Sequence, residues 1–248
     1  MKNLRFATLI LSIAVSATGM SACAPVQTTK DIEYSHQHDG KLVYIDEEMR
    51  YAFSIPDFPA DESEEYHEDF KVLHGWQEQR TEAQCFAAAG QEYASIQETY
   101  PAYKKFFDSL SYQDKEFLHR VYEDAHTINK IVKARFSRPR PFHTDATLEP
   151  CANIGRINGY AYPSGHATMA GTFEGMMLII DPDNEKGIKD ATQRAGMYRV
   201  LAGVHHPTDI RAGYKLGRDI FDTFKKNGNF MKKLNSLHEK YVKYKKAH

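Results

Sequence analysis

The chain has 248 residues, of which 42% are hydrophobic and 26% charged, the balance of a folded globular protein. Lysine plus arginine number 32 against 33 acidic residues, a formal net charge of −1. These values exclude a disordered chain, a collagen-like repeat, a multi-span membrane protein and a strongly basic nucleic-acid binder, so no nucleic-acid partner is expected.

Lys2 and Arg5 form a positive region ahead of an uncharged run from Phe6 to Met20. That run is shorter than the roughly 20 residues a spanning helix needs, so residues 1–22 read as a signal peptide. Met20-Ser21-Ala22-Cys23 resembles a lipobox, with Met where Leu is usual, and marks Cys23 for lipidation. Ala22-Cys23-Ala24 could instead be an ordinary cleavage site, although Pro25 would hinder that peptidase. The expectation is export to a bacterial periplasm and anchoring to the outer membrane as a lipoprotein, with membrane contact through the lipid. In that oxidising compartment Cys85 and Cys151 are an even pair, and a disulfide and two buried thiols both stay open.

Residues 23–50 lack periodicity and read as a linker or N-terminal arm. Asp61-x-x-Glu64 resembles a capping box, followed by Tyr66, Phe70 and Leu73 at helical spacing. Thr81-x-x-Gln84 is a second capping box ahead of Cys85, Ala88 and Ala89. From Asp114 to about Arg135, Phe117, Val121, Ala125, Ile128 and Val132 define a long amphipathic helix. Pro139 and Pro141 end it, and a loop of about twenty residues follows, a length that often carries function. Ser164 opens a helix to Ile180, another runs from Ile188 to about Val204, and Thr208 starts one to about Lys226. Residues 227–248 read as a basic, solvated tail; from Lys225 onward there are eight lysines and one glutamate. The fold class is all-α, a single helical domain over residues 51–226.

Three segments carry polar groups beside these apolar helices: Lys133 with Arg140-Pro141, then Pro163-Ser164-Gly165-His166, then Arg199 with His205 and Asp209. Singly, each has an ordinary structural explanation, such as Lys133 at a helix C-terminus or Ser164 as a cap. Together they supply three cations, a hydroxyl and helix N-terminal amides, the parts of a cradle for a tetrahedral oxyanion. Two histidines and an aspartate add a nucleophile, an acid and an orienting group. No metal-ligand cluster stands out, and neither a metal nor a cofactor is expected.

Lys133-x6-Arg140-Pro141, Pro163-Ser164-Gly165-His166 and Arg199-x5-His205-x3-Asp209 together resemble the tripartite signature of the type-2 phosphatidic acid phosphatase superfamily. Ile55-Pro56 with Pro59, Arg80-Thr81-x-x-Gln84, Arg140-Pro141-Phe142 and Tyr162 are similar to its bacterial class A non-specific acid phosphatases. The chain departs from that pattern at Tyr198, Ala161 and Ala167, where Ser, Ser and Thr are favoured. The resemblance implies a helical bundle of the acid phosphatase and vanadium haloperoxidase type, and broad action on small phosphomonoesters through a phosphohistidine. It implies His205 as nucleophile, Asp209 as its partner, and His166 as the acid that later activates water. Lys133, Arg140, Ser164, Gly165 and Arg199 would bind the phosphate. A homo-oligomer is a mild expectation. The rival readings are a lipid-head-group phosphatase at a membrane surface, a vanadium haloperoxidase and a non-catalytic phosphate-binding lipoprotein.

Overall fold

The computed structural model describes residues 40–248, which are helical with no strand among them. The signal segment, Cys23 and most of the arm lie outside the described residues. In chain order the helices are α1 (Glu64–Gln79), α2 (Glu82–Ala89), α3 (Ile96–Thr99), α4 (Lys104–Ser109), α5 (Tyr112–Lys133), α6 (Pro141–Thr144), α7 (Gly165–Ile180), α8 (Glu185–Leu201), α9 (Pro207–Phe224) and α10 (Gly228–Ala247). No described helix is long and apolar enough to cross a membrane.

Local chemistry sets most of the helix starts. The reciprocal Thr81–Gln84 box caps α2 as its spacing predicts, and Ser111 with Asp114 forms another at α5. At α1 the cap is Ser63, whose hydroxyl accepts from the Tyr66 amide, rather than Asp61, which lies outside the first turn. The apolar face read along α5 is buried throughout: Phe117, Val121, Ala125, Ile128 and Val132 are at most 2% exposed.

Helix α7 sits at the centre, packed on α5, α8, α9 and α10. Its residues are small or apolar nearly all round, and both Met176 and Met177 are fully buried. Its tightest neighbour is α9, because glycines allow the two backbones to approach. A Cβ on Gly171 would lie 2.9 Å from the Tyr214 carbonyl oxygen, and one on Gly217 would press on the Thr168 carbonyl and the Thr172 amide. Gly217→Ala is therefore expected to destabilise the fold by about 1–3 kcal/mol. A lower urea midpoint would register it; an unchanged midpoint would mean that the helices separate without cost.

Both ends of the described chain depart from the sequence reading. The expected solvated tail is α10, and Phe230, Leu234 and Leu237 on it are fully buried. Their helical spacing is set among lysines, two of which pair with core-facing acids, Lys240 with Asp114 and Lys245 with Asp181. The end of the expected arm is also packed down: Leu42, Tyr44 and Ile45 are buried, and the Val43 and Tyr44 amides donate to the Asp124 carboxylate. These few residues carry no periodicity because they dock by main-chain bonds rather than as an amphipathic element.

Candidate active site

The glycine-mediated contact brings the N-termini of α7 and α9 to one end of the bundle, where the Ser164 amide donates to the Asp209 carbonyl at 3.0 Å. The last turns of α5 and α8 deliver Lys133 and Arg199 to the same end. Residues some seventy positions apart in sequence therefore meet there.

His205 is 3% exposed and bonded at both ring nitrogens. Arg140 Nη1 approaches Nε2 at 2.8 Å, and Asp209 Oδ2 lies 3.2 Å from Nδ1. A guanidinium can only donate, so Nε2 carries the lone pair and Nδ1 carries the proton given to Asp209. Burial, then Arg140, holds the imidazole well below its ordinary pKa, so the ring is neutral. Asp209 is fully buried, which opposes its charge, yet its bonds from His205 and His206 hold the carboxyl well below the usual range.

On the other side, His166 Nε2 donates to the Gln91 carbonyl at 2.6 Å, with Arg199 Nη1 3.3 Å away. Burial and then Arg199 push its pKa down to about 3. Ser164 caps α7 by accepting from the Ala167 amide, which leaves its hydroxyl proton for another acceptor. Gly165 takes the first helical position, where a main-chain amide has no partner within the helix.

The three cations share one feature. Among the described residues, Lys133, Arg140 and Arg199 bond to main-chain carbonyls and to no carboxylate. Lys133 donates to the Tyr160 carbonyl at 2.9 Å, Arg140 to those of Val204 and Gly159 at 2.9 and 3.1 Å, and Arg199 to that of Ala88 at 2.7 Å. The buried Nε of Arg199 has no partner. Burial, and after it Arg140, lowers the Lys133 pKa to about 7; burial lowers Arg140 and Arg199 to about 10, so both stay charged at neutral pH. Buried positive charge without a counter-ion is costly, and an anion would relieve the cost. No described group of three or more His, Cys, Asp or Glu is placed to hold a metal ion.

All eight residues singled out in the three segments thus lie at this end of the bundle. Four further residues take part that the sequence reading did not assign to the site. Arg138 and Asp69 support Asp209 from behind, His206 shares its Oδ2 at 3.1 Å, and the Gln91 carbonyl anchors His166. Arg138 and His206 stand within two residues of Arg140 and His205, whereas Asp69 and Gln91 carry no local signal. The segment holding Gln91 and Ala88 is tied down by the Cys85–Cys151 disulfide, whose Cα atoms are 5.6 Å apart, and Cys151 is bonded in turn to Ala202 at the end of α8.

The sequence model of the PAP2 superfamily matches residues 124–218, a span that contains Lys133, Arg140, Ser164, His166, Arg199, His205 and Asp209. Over that span the chain is similar to the PAP2 superfamily. Over 134 residues it is 26% identical to a non-specific acid phosphatase of Providencia stuartii, covering 53% of this chain and 54% of that protein. Over 89 residues it is 29% identical to a lipid A 1-phosphatase of Rhizobium etli, covering 35% of this chain and 38% of the other. The chain therefore spans about half the length of the first relative and less of the second. A bacterial vanadium-dependent iodoperoxidase has a similar fold, with a TM-score of 0.50 at 18% identity over 71% of this chain and 53% of that one. The PAP2 region begins at Asp124 within α5 and ends at Arg218 within α9, so it contains α7, the helix at the centre of the bundle.

Proposed function

We propose that this chain is an exported phosphomonoesterase that works through a phosphohistidine on His205 and requires no metal. The observation that carries this reading is the group of three cations, none of them paired with a carboxylate, around a histidine whose Nε2 lone pair is held towards Arg140. The likeness to an acid phosphatase supports it, and so does the disulfide, a bond that persists in oxidising compartments. Lipid anchoring through Cys23 is part of the same proposal and rests on the lipobox alone.

Phosphate oxygens would take the donors of Lys133, Arg140, Arg199, Ser164 and the Gly165 amide, and Arg140 would leave His205 Nε2 as it turns to phosphate. Nε2 then attacks phosphorus and the bond to the leaving oxygen breaks, while Asp209 stabilises the positive ring. His166, neutral in the free protein, takes a proton from solvent once the bound dianion offsets Arg199, and passes that proton to the leaving oxygen. Water then gives a proton to His166 and attacks phosphorus, the P–N bond breaks, and phosphate departs. Fixed protein cations supply the electrostatic stabilisation on which phosphoryl transfer depends.

The direct test is hydrolysis of p-nitrophenyl phosphate from about pH 4 to about pH 8 with EDTA present. Lys133 is a cation only below its pKa of about 7, so kcat/KM is expected to fall as pH rises through that region. Lys133→Arg should move this alkaline limb upward by keeping the charge. A limb that stays in place would assign the ionisation to another group, and a reaction abolished by EDTA would overturn the metal-independent mechanism. Broad specificity follows from recognition of the phosphate itself. A lipid-borne phosphate is the second reading, favoured by the likeness to a lipid A 1-phosphatase, and release of phosphate from lipid vesicles but not from soluble esters would select it.

A further inference from the structure

One buried cation in this region does not face the proposed phosphate cradle. Arg138 is 3% exposed and lies behind Asp209. Its Nη1 donates to Asp209 Oδ1 at 2.7 Å and to Thr208 Oγ1 at 2.5 Å, and its Nη2 donates to Asp69 Oδ2 at 2.9 Å. Asp69, 2% exposed on α1, also accepts from the Thr208 amide at 3.0 Å and from the Thr208 hydroxyl. The Phe58 ring covers the guanidinium, with its centroid 5.4 Å away. Every polar contact of this group is internal, and it meets His205 only through Asp209.

The charge balance is informative. Asp69, Arg138 and Asp209 together carry one negative charge beside a neutral His205. When His205 becomes positive on attack, that charge is matched. Asp209 Oδ2 already serves His205 Nδ1, the His206 amide and His206 Nδ1, so without a ligand on Oδ1 the carboxylate could rotate about its Cβ–Cγ bond and present either oxygen. Arg138 removes that freedom, and Asp69 holds Arg138 while sharing its charge, so that Asp209 remains a strong acceptor for His205.

We propose that Arg138, held in place by Asp69, is a positioning residue that orients the Asp209 carboxylate and through it fixes the tautomer of His205. The kinetic part of this proposal rests on the phosphatase reading; the tautomer part does not. The informative variant is Asp69→Asn, which keeps the shape and leaves the machinery around phosphate untouched. With Asp69 neutral, the charge of Arg138 falls wholly on Asp209 and weakens its bond to His205. Arg138→Lys, which keeps the charge but cannot bridge both carboxylates, is the companion variant.

In the full chain, the low-field Nδ1 proton and ring nitrogen shifts of His205 are followed by NMR without substrate. In parallel, kcat, KM and acid-trapped phosphoenzyme are measured with p-nitrophenyl phosphate. Asp69→Asn is expected to move the Nδ1 proton upfield and to lower kcat about tenfold at unchanged KM, the ratio that one pKa unit of differential stabilisation represents. Arg138→Lys should show the same signature. Lower thermal stability with wild-type His205 signals and wild-type kcat would overturn the proposal and leave the network a purely structural clamp. If the wild-type protein shows no turnover while the His205 signals still respond to Asp69→Asn, the positioning role stands and the phosphatase reading falls.

Discussion

His205→Ala is expected to lower turnover of p-nitrophenyl phosphate by about 10³-fold or more, with KM changed far less. The loss follows from removing the ring nitrogen whose lone pair is held towards Arg140, while the three cations remain to bind phosphate. The fold should survive, because Asp209 keeps its bonds to Arg138 and to the His206 amide and ring, and α7 and α9 keep their glycine contact. The measurement is kcat on protein whose helical circular dichroism matches wild type, together with acid-trapping of radiolabelled phosphoenzyme. The label should vanish with the activity. A variant that still turned over at the wild-type rate, or still trapped phosphate, would remove His205 from the nucleophile role.

Asp209→Asn is expected to be nearly as severe, on the order of 10³- to 10⁴-fold in kcat, the scale seen when the carboxylate of a catalytic triad becomes an amide. Both carboxylate oxygens face donors here: Arg138 Nη1 on one side, and His205 Nδ1, His206 N and His206 Nδ1 on the other. An asparagine must turn its NH₂ towards one of these sides. Keeping its oxygen towards the permanently charged Arg138 directs NH₂ at His205, and the ring must then carry its proton on Nε2. That tautomer has no lone pair for phosphorus. The same conflict puts donor against donor in a fully buried position, so a lower thermal midpoint should accompany the kinetic loss. Ring nitrogen shifts of labelled His205 would show the tautomer directly, and retention of the Nδ1–H form with wild-type kcat would refute the argument.

Much of this molecule is legible from neighbours along the chain. The Thr81–Gln84 box, the Ser164 cap and the apolar stripe of α5 are local patterns, and each led to an element at the expected place within a few residues. The three polar segments were legible too, because Lys133, Arg140, Ser164, His166, Arg199, His205 and Asp209 stand at short, fixed spacings that ordinary helix ends do not require in combination. Where local signal was thin, the reading missed. The spacing of Phe230, Leu234 and Leu237 was hidden by lysines, and Leu42 to Ile45 dock through main-chain bonds to Asp124 that no periodicity announces.

Tertiary structure alone decided the rest. Asp69 and Arg138 are 69 positions apart, and Gln91 and His166 are 75 apart; nothing in either neighbourhood marks the pairing. The same holds for Cys85 and Cys151, which the sequence left open and the fold joins. Charge state is the clearest case. A lysine that titrates near 7 and a histidine pushed to about 3 are products of burial and of nearby cations, and both depend on which distant segments remove water from the site. The chain order of residues determined which chemical groups are present and which helices carry them. Their protonation, orientation and mutual support came from packing, because desolvation and Coulomb interactions act through space and not along the chain.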